Sequence, residues 1–230
     1  MSIYFLSEDP SLKWRKAKKE LPKKGCDILA VPPLKRLNQK KLELLRSRLD
    51  KDALYLSSSS ALDALFPLSP DAVRPFFYLS LARSLGSLSA SLGFSSVCLF
   101  GADEKSALLF LSAFPSLFLS GENADEVSES ILESTGAAVP VASSPVRGAA
   151  LIFLKEAAPS FPGIAFHPDF SCGGEKFGSG SLSYVPNGRY AFLRERLGRP
   201  LSCFEAARLY HYDEKATFNI LTNPVFRSII

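Results

Sequence analysis

The chain has 230 residues, enough for one well-buried domain or two small ones. Hydrophobic residues make up 47% and charged residues 22%, which excludes a disordered or low-complexity class and fits a globular protein. The net charge of +4 hides an asymmetry: up to Lys51 fourteen bases face six acids, an excess of +8, and the remainder carries −4.

That basic first segment admits an anionic partner, either nucleic acid or an acidic protein. The simpler reading is a pair of amphipathic helices with solvated basic faces, because no nucleic-acid motif accompanies the charge. Any nucleic-acid binding is therefore expected to be weak, unspecific and abolished by moderate salt. The opening Met1-Ser2-Ile3-Tyr4-Phe5-Leu6 lacks a basic flank, and its apolar run is too short for a signal peptide or a membrane span. A soluble cytoplasmic protein without a membrane anchor is expected. Cys26, Cys98, Cys172 and Cys203 are widely separated and show no C-x-x-C spacing, so neither a metal nor a cofactor is expected.

In chain order, Ile3 to Leu6 reads as a strand. Pro10 and Ser11 start a basic helix with Trp14 and Ala17 on its inner side, and Asp27 to Val31 is a second strand closed by Pro32-Pro33. Asn38 caps a helix with Leu42, Leu45 and Leu49 at helical spacing. Ala53 to Leu56 is a third strand, and the serine run from Ser57 to Ser60 leads into a cap. Asp71 opens a long apolar helix to Leu92, with Pro75 in its early part.

The second half repeats the alternation. Val97 to Phe100 is an unbroken apolar run ending at Gly101, as in a strand buried on both faces. Asp103 is placed to cap the next helix, which Pro115 stops. Leu117 to Leu119 is a strand. Asn123 and Glu126 have the spacing of a capping box for a helix with Val127, Ile131 and Leu132 inward and Gly136 at its end. Val139 begins a further short strand. These elements predict an α/β protein with one Rossmann-like, mainly parallel sheet and helices on both faces. The expected division is a core over residues 1–170 and a C-terminal α-rich extension over 171–230.

Ala150 to Leu154 and Gly163 to Phe166 read as strands too. The segment between them is short for a crossover helix, which favours antiparallel pairing or an edge position. Cys172 to Ser181 reads as a flexible glycine-rich loop. Beyond it come a short strand at Ser183 to Val185, two helices at about Arg189 to Leu197 and Ser202 to Tyr212, and a third short helix ending before Asn223. His211 in the second of these is expected to be packed or half-buried.

Two constellations could carry chemistry. A dinucleotide fold places G-x-G-x-x-G after its first strand and an acid about 20 residues on. Here those positions hold Gly101, Asp103 and Ser106, with Glu122 as the late acid. Asp103 sets a carboxylate where a pyrophosphate would approach, so NAD and NADP are not expected to bind in that manner. The second constellation is His167, Asp169 and Cys172, an imidazole, a carboxylate and a thiol directly after a strand. Gly101, Asp103 and Glu122 thus form the expected ligand-binding set, and His167, Asp169 and Cys172 the candidate catalytic set. The leading expectation is binding of a small molecule or a protein partner without redox chemistry. An enzyme using His167 and Asp169 is the first alternative, and a binder of nucleic acid or an acidic protein is the second.

Overall fold

The computed structural model describes residues 3–11, 27–50, 53–57, 65–66, 68–144, 146, 148–154, 163–167, 176–178 and 182–222. The expected basic helix through Trp14 and Ala17, Ser58 to Ser60, Asp169 and Cys172 lie outside these residues. So does the expected division near residue 170. The chain forms two compact units, Met1–Ala72 with Ala207–Lys215, and Val73–Ala206 with Ala216–Ile230.

The first unit holds three parallel strands, β1 (Ile3–Glu8), β2 (Asp27–Val31) and β3 (Leu54–Ser57), in the order β2-β1-β3. Alternation puts Tyr4 and Leu6 on one face of β1, where they join Leu29, Val31, Leu45 and Leu49 in an apolar cluster. Tyr4 and Tyr55 are cross-strand partners whose rings stack 5.5 Å apart. Burial pushes the Tyr55 hydroxyl up to about 12. Helix α1 (Gln39–Arg46) starts as the sequence predicts: the Asn38 side chain accepts from the Lys41 N–H at 3.1 Å.

The second unit holds five parallel strands: β4 (Ser96–Phe100), β5 (Leu117–Ser120), β6 (Ala149–Phe153), β7 (Ala165–His167) and β8 (Lys176–Gly178). Their order is β5-β4-β6-β7-β8. The expectation of a single sheet is thus corrected: the strands at Ile3, Ile28 and Leu54 pair among themselves, and those at Val97 and Leu117 belong to a separate sheet. Apolar runs identify strands, but the main-chain groups that choose partners are the same in every residue.

The α/β class itself is borne out, with parallel sheets flanked by helices. Val97, Cys98 and Leu99 are fully buried, so β4 is covered on both faces. Helix α2 (Pro70–Leu92) runs unbroken through Pro75. Its Tyr78 hydroxyl donates to the Phe153 carbonyl at 2.9 Å. Helix α3 (Glu104–Ala113) and helix α4 (Ala124–Thr135) touch each other. The Ser130 and Ser134 hydroxyls donate to the Glu104 carboxylate at 2.6 and 3.1 Å, so both helices lie on one face of the sheet. The opposite face carries Cys98, Leu151, Phe153 and Ala165, with Phe100, Phe118 and Val146 packed on them.

Several local expectations change. Asn123 makes no side-chain cap bond, so the capping box with Glu126 is not formed. Leu132 is 50% exposed, because one residue past the buried Ile131 turns about 100° around the helix. The strand at Val139 shrinks to one parallel bridge between Val141 and Leu119. Pro140 has no N–H to extend that ladder toward Leu117. Strands β6 and β7 pair parallel, with Ile152 opposite Phe166, and β7 lies inside the sheet between β6 and β8. The eleven residues joining them, 154–164, could reach about 36 Å fully extended, several times the length of the three-residue β7. Lys176–Gly178, within the expected loop, instead pairs with β7 as β8.

The C-terminal part holds β9 (Leu182–Pro186), helix α5 (Phe192–Leu197), helix α6 (Cys203–Tyr212) and β10 (Phe218–Thr222). Strand β10 replaces the expected third helix and pairs antiparallel with β9. His211 is exposed rather than packed, with Nε2 3.1 Å from the Ala72 carbonyl oxygen. The start of α6 is a reciprocal cap: the Ser202 N–H donates to Glu205 Oε2 at 2.9 Å, and the Glu205 N–H to Ser202 Oγ at 3.3 Å. Arg199 donates to both Glu205 oxygens, at 2.9 and 2.7 Å. The Glu205 side chain is 4% exposed and that of Arg199 34%.

Truncating Glu205 removes the cap and the buried ion pair together. Glu205→Ala is expected to lower stability by about 2–3 kcal/mol, below the cost for a fully buried pair because Arg199 reaches water. Arg199→Ala is expected to cost less than Glu205→Ala, since the cap survives; urea denaturation of both variants checks the order.

Candidate functional site

All five strands of the larger sheet point the same way, so their carboxyl ends share one edge. Numbered by appearance within this unit the order is 2-1-3-4-5, a doubly wound order that reverses between β4 and β6. In such sheets ligands sit outside the carboxyl ends at that reversal.

The turns there are built by glycine. Gly101 follows β4 at φ +71° and Gly121 follows β5 at φ +112°. The Gly101 N–H donates to the Ser120 carbonyl at 2.9 Å, and the Leu154 N–H to the Phe100 carbonyl at 3.1 Å, so the strand ends on both sides are tied to β4. A Cβ on Gly121 would lie 3.1 Å from the Gly101 nitrogen and 3.9 Å from Phe100 Cε2. The two turns therefore approach so closely that a side chain at Gly121 would force its neighbour to shift, at a left-handed φ besides.

Asp103 opens α3 as predicted. Its carboxylate accepts from the Ser106 N–H at 2.7 Å, and bonding to Ser106 holds it below its ordinary 3.8. The first turn of α3 thus carries an anion of the protein's own. Glu104 is committed to Ser130 and Ser134, whereas Glu122 is exposed just past Gly121.

His167 ends β7 on the same edge and is 5% exposed. Its ring lies 5.5 Å from that of Phe153 at an interplanar angle of 57°. The register aligns Ser120, Phe100 and Phe153 with His167 in one row across the sheet, on the face away from α3 and α4. Phe100 and Phe153 also meet edge to face, with centroids 6.0 Å apart. The sequence alone did not reveal this row, because register is not written in any one strand.

Strand spacing decides which candidates can touch. Glu122 follows β5 and His167 ends β7, three spacings apart or about 14 Å. Gly101 and Gly121 meet, with Asp103 and Glu122 two residues or fewer beyond them. His167 stands farther along the same edge, and a ligand rather than a direct contact would have to join it to Glu122. Among the described residues no group of three or more His, Cys, Asp or Glu is placed to hold a metal ion, and no helix is long and apolar enough to cross a membrane. Cys98, inside β4, has its thiol pushed up by burial, which makes it a packing residue and not a nucleophile.

Comparison with known protein families, curated proteins and solved structures yields no match.

Two variants probe this edge. Asp103→Ala removes the cap of α3 and is expected to cost about 1 kcal/mol, while Asp103→Asn retains most of that. Because the folded carboxyl is held below 3.8, the extra stability is full above that pH and is lost as pH falls through the lower folded value. Denaturation curves at neutral and acid pH should therefore show Asp103→Asn converging on the parent protein at acid pH. Gly121→Ala forces both a contact at 3.1 Å and a left-handed φ, and is expected to cost about 1–3 kcal/mol in the same assay.

Proposed function

We propose that this chain binds a small molecule, without redox chemistry, at the carboxyl edge of its five-stranded sheet. The observation that supports the reading is the reversal of strand order between β4 and β6, flanked by the touching turns at Gly101 and Gly121. Glycine there leaves main-chain groups bare for close approach by a ligand.

The charges favour a cationic or polyhydroxyl ligand over a phosphate. Asp103 already occupies the helix start that a phosphate would need, and Glu122 adds a second exposed carboxylate. An intracellular location, in the cytoplasm, belongs to the same proposal.

A second reading, an enzyme acting on a small molecule, draws support from the direction of β7. Because β7 runs parallel to β6, His167 lies on the same edge as Gly101. Asp169 and Cys172 follow it in sequence and complete the candidate set. Binding by the basic first segment remains the third reading, with an acidic protein or nucleic acid as partner.

Calorimetric titration and thermal-shift assays against polyols, amines, phosphates and both nicotinamide dinucleotides test the reading. Saturable binding is expected among the polyols or amines, weakened about tenfold or more by Glu122→Gln through loss of a charged hydrogen bond. NAD and NADP are expected to give no heat at millimolar concentration. Micromolar binding of either dinucleotide, abolished by a bulky substitution at Gly101, would overturn the assignment of this edge.

A further inference from the structure

We propose that a second copy of this chain docks on helix α1, laying the acidic face of its own α4 across the basic face of α1. The two faces share one plan. Leu44 on α1 is 47% exposed and Leu132 on α4 is 50% exposed, the two most exposed large apolar side chains among the described residues. Each stands among charges of one sign. Residues three and four places apart are neighbours on a helix. Lys40 and Lys41 precede Leu44 by four and three places, and Arg48 follows it by four, in the turn that ends the helix. Glu129 precedes Leu132 by three places and Asp125 by seven, along one stripe, with Glu133 beside it. Lys40, Lys41, Asp125, Glu129 and Glu133 are all exposed.

Several of these charges work against their own helix. A helix start favours acids and a helix end favours bases. Helix α1 has no acid in its first turn, which instead holds Lys40 and Lys41. Helix α4 has no base in its last turn, which instead holds Glu133. A partner of opposite charge offsets both arrangements.

The occupant follows from charge complementarity. From Lys35 to Arg48 six bases meet one acid, Glu43. That acid sits about 100° around the helix from Leu44 and accepts from the Gln39 side chain at 3.2 Å. Between Lys105 and Arg147 the chain has five acids and no base. The chain thus carries, on separate helices, two exposed faces that match in sign and in apolar centre. Leu44 against Leu132, ringed by lysine–glutamate pairs, has the apolar centre and polar rim of a protein interface. Unlike surfaces meet, so the contact is heterologous. One helix pair is a small interface, which makes the association weak and sensitive to salt. The proposal rests on the third reading above and gives its acidic protein an identity, a second copy of this chain.

Analytical ultracentrifugation of the full chain tests the proposal. A mean mass above that of one chain is expected, rising with protein concentration and falling as salt goes from about 50 mM to about 0.5 M. Lys40→Glu with Lys41→Glu is expected to weaken self-association about tenfold, as is Glu129→Lys with Glu133→Lys. An equimolar mixture of these two variants is expected to associate again, because one keeps the basic α1 and the other the acidic α4. That rescue also shows that both variants are folded. A parent chain that stays monomeric at millimolar concentration and low salt overturns the proposal. So does self-association that neither variant weakens, or a mixture that stays apart. A monomeric parent chain that binds an oligonucleotide overturns it too, while leaving the third reading in place.

Discussion

The hydrogen-bond ladder of β4 is the constraint on which the larger unit depends. Val97, Cys98 and Leu99 have no exposure, so their main-chain groups cannot turn to water. They must pair on both sides, and they do, with β5 on one flank and β6 on the other. Parallel pairing then sends every strand end to the same edge. Short, fully apolar strands are the price of this arrangement, since each side chain meets a covered face.

The same arrangement points helix starts and turn amides at that edge, where their unpaired N–H groups attract negative charge. The chain answers with its own carboxylates. Asp103 accepts from Ser106 at the start of α3. In the first unit Glu8, at the end of β1, accepts the Leu34 N–H at 3.0 Å, and Asp9 accepts from Ser11 at 2.8 Å. Two independent parallel sheets thus treat their carboxyl ends alike. In both sheets a carboxylate of the chain itself accepts a main-chain N–H at the carboxyl edge.

The C-terminal part follows a different logic. Strand β9 and helix α6 are joined by the backbone bridge between Tyr184 and Leu201, and the helix start is fixed by Ser202, Glu205 and Arg199. In the sequence that helix was legible as starting at about Ser202, though its cap was not, whereas Asp103 was legible as the cap of α3. The bidentate contact of Arg199 was not, because it precedes the helix and reaches forward across a loop.

Local rules carried the sequence reading as far as they reach. Asn38, Asp103 and Gly136 act at the helix ends where the residue types place them, since capping involves groups three or four positions apart. The strands at Ile3, Ile28, Leu54, Val97, Leu117 and Ala150 were legible as apolar runs. Tertiary structure alone decided which strands are neighbours, that β7 runs parallel to β6, and that Lys176–Gly178 and Phe218–Thr222 are strands. Strand pairing joins main-chain groups that are chemically the same in every residue, so side-chain pattern does not specify the partner. The candidate site divides along the same line. Its residues were nameable one by one from the sequence, but the contact of Gly101 with Gly121, and the separation of His167 from Glu122, came only with the register and order of the strands.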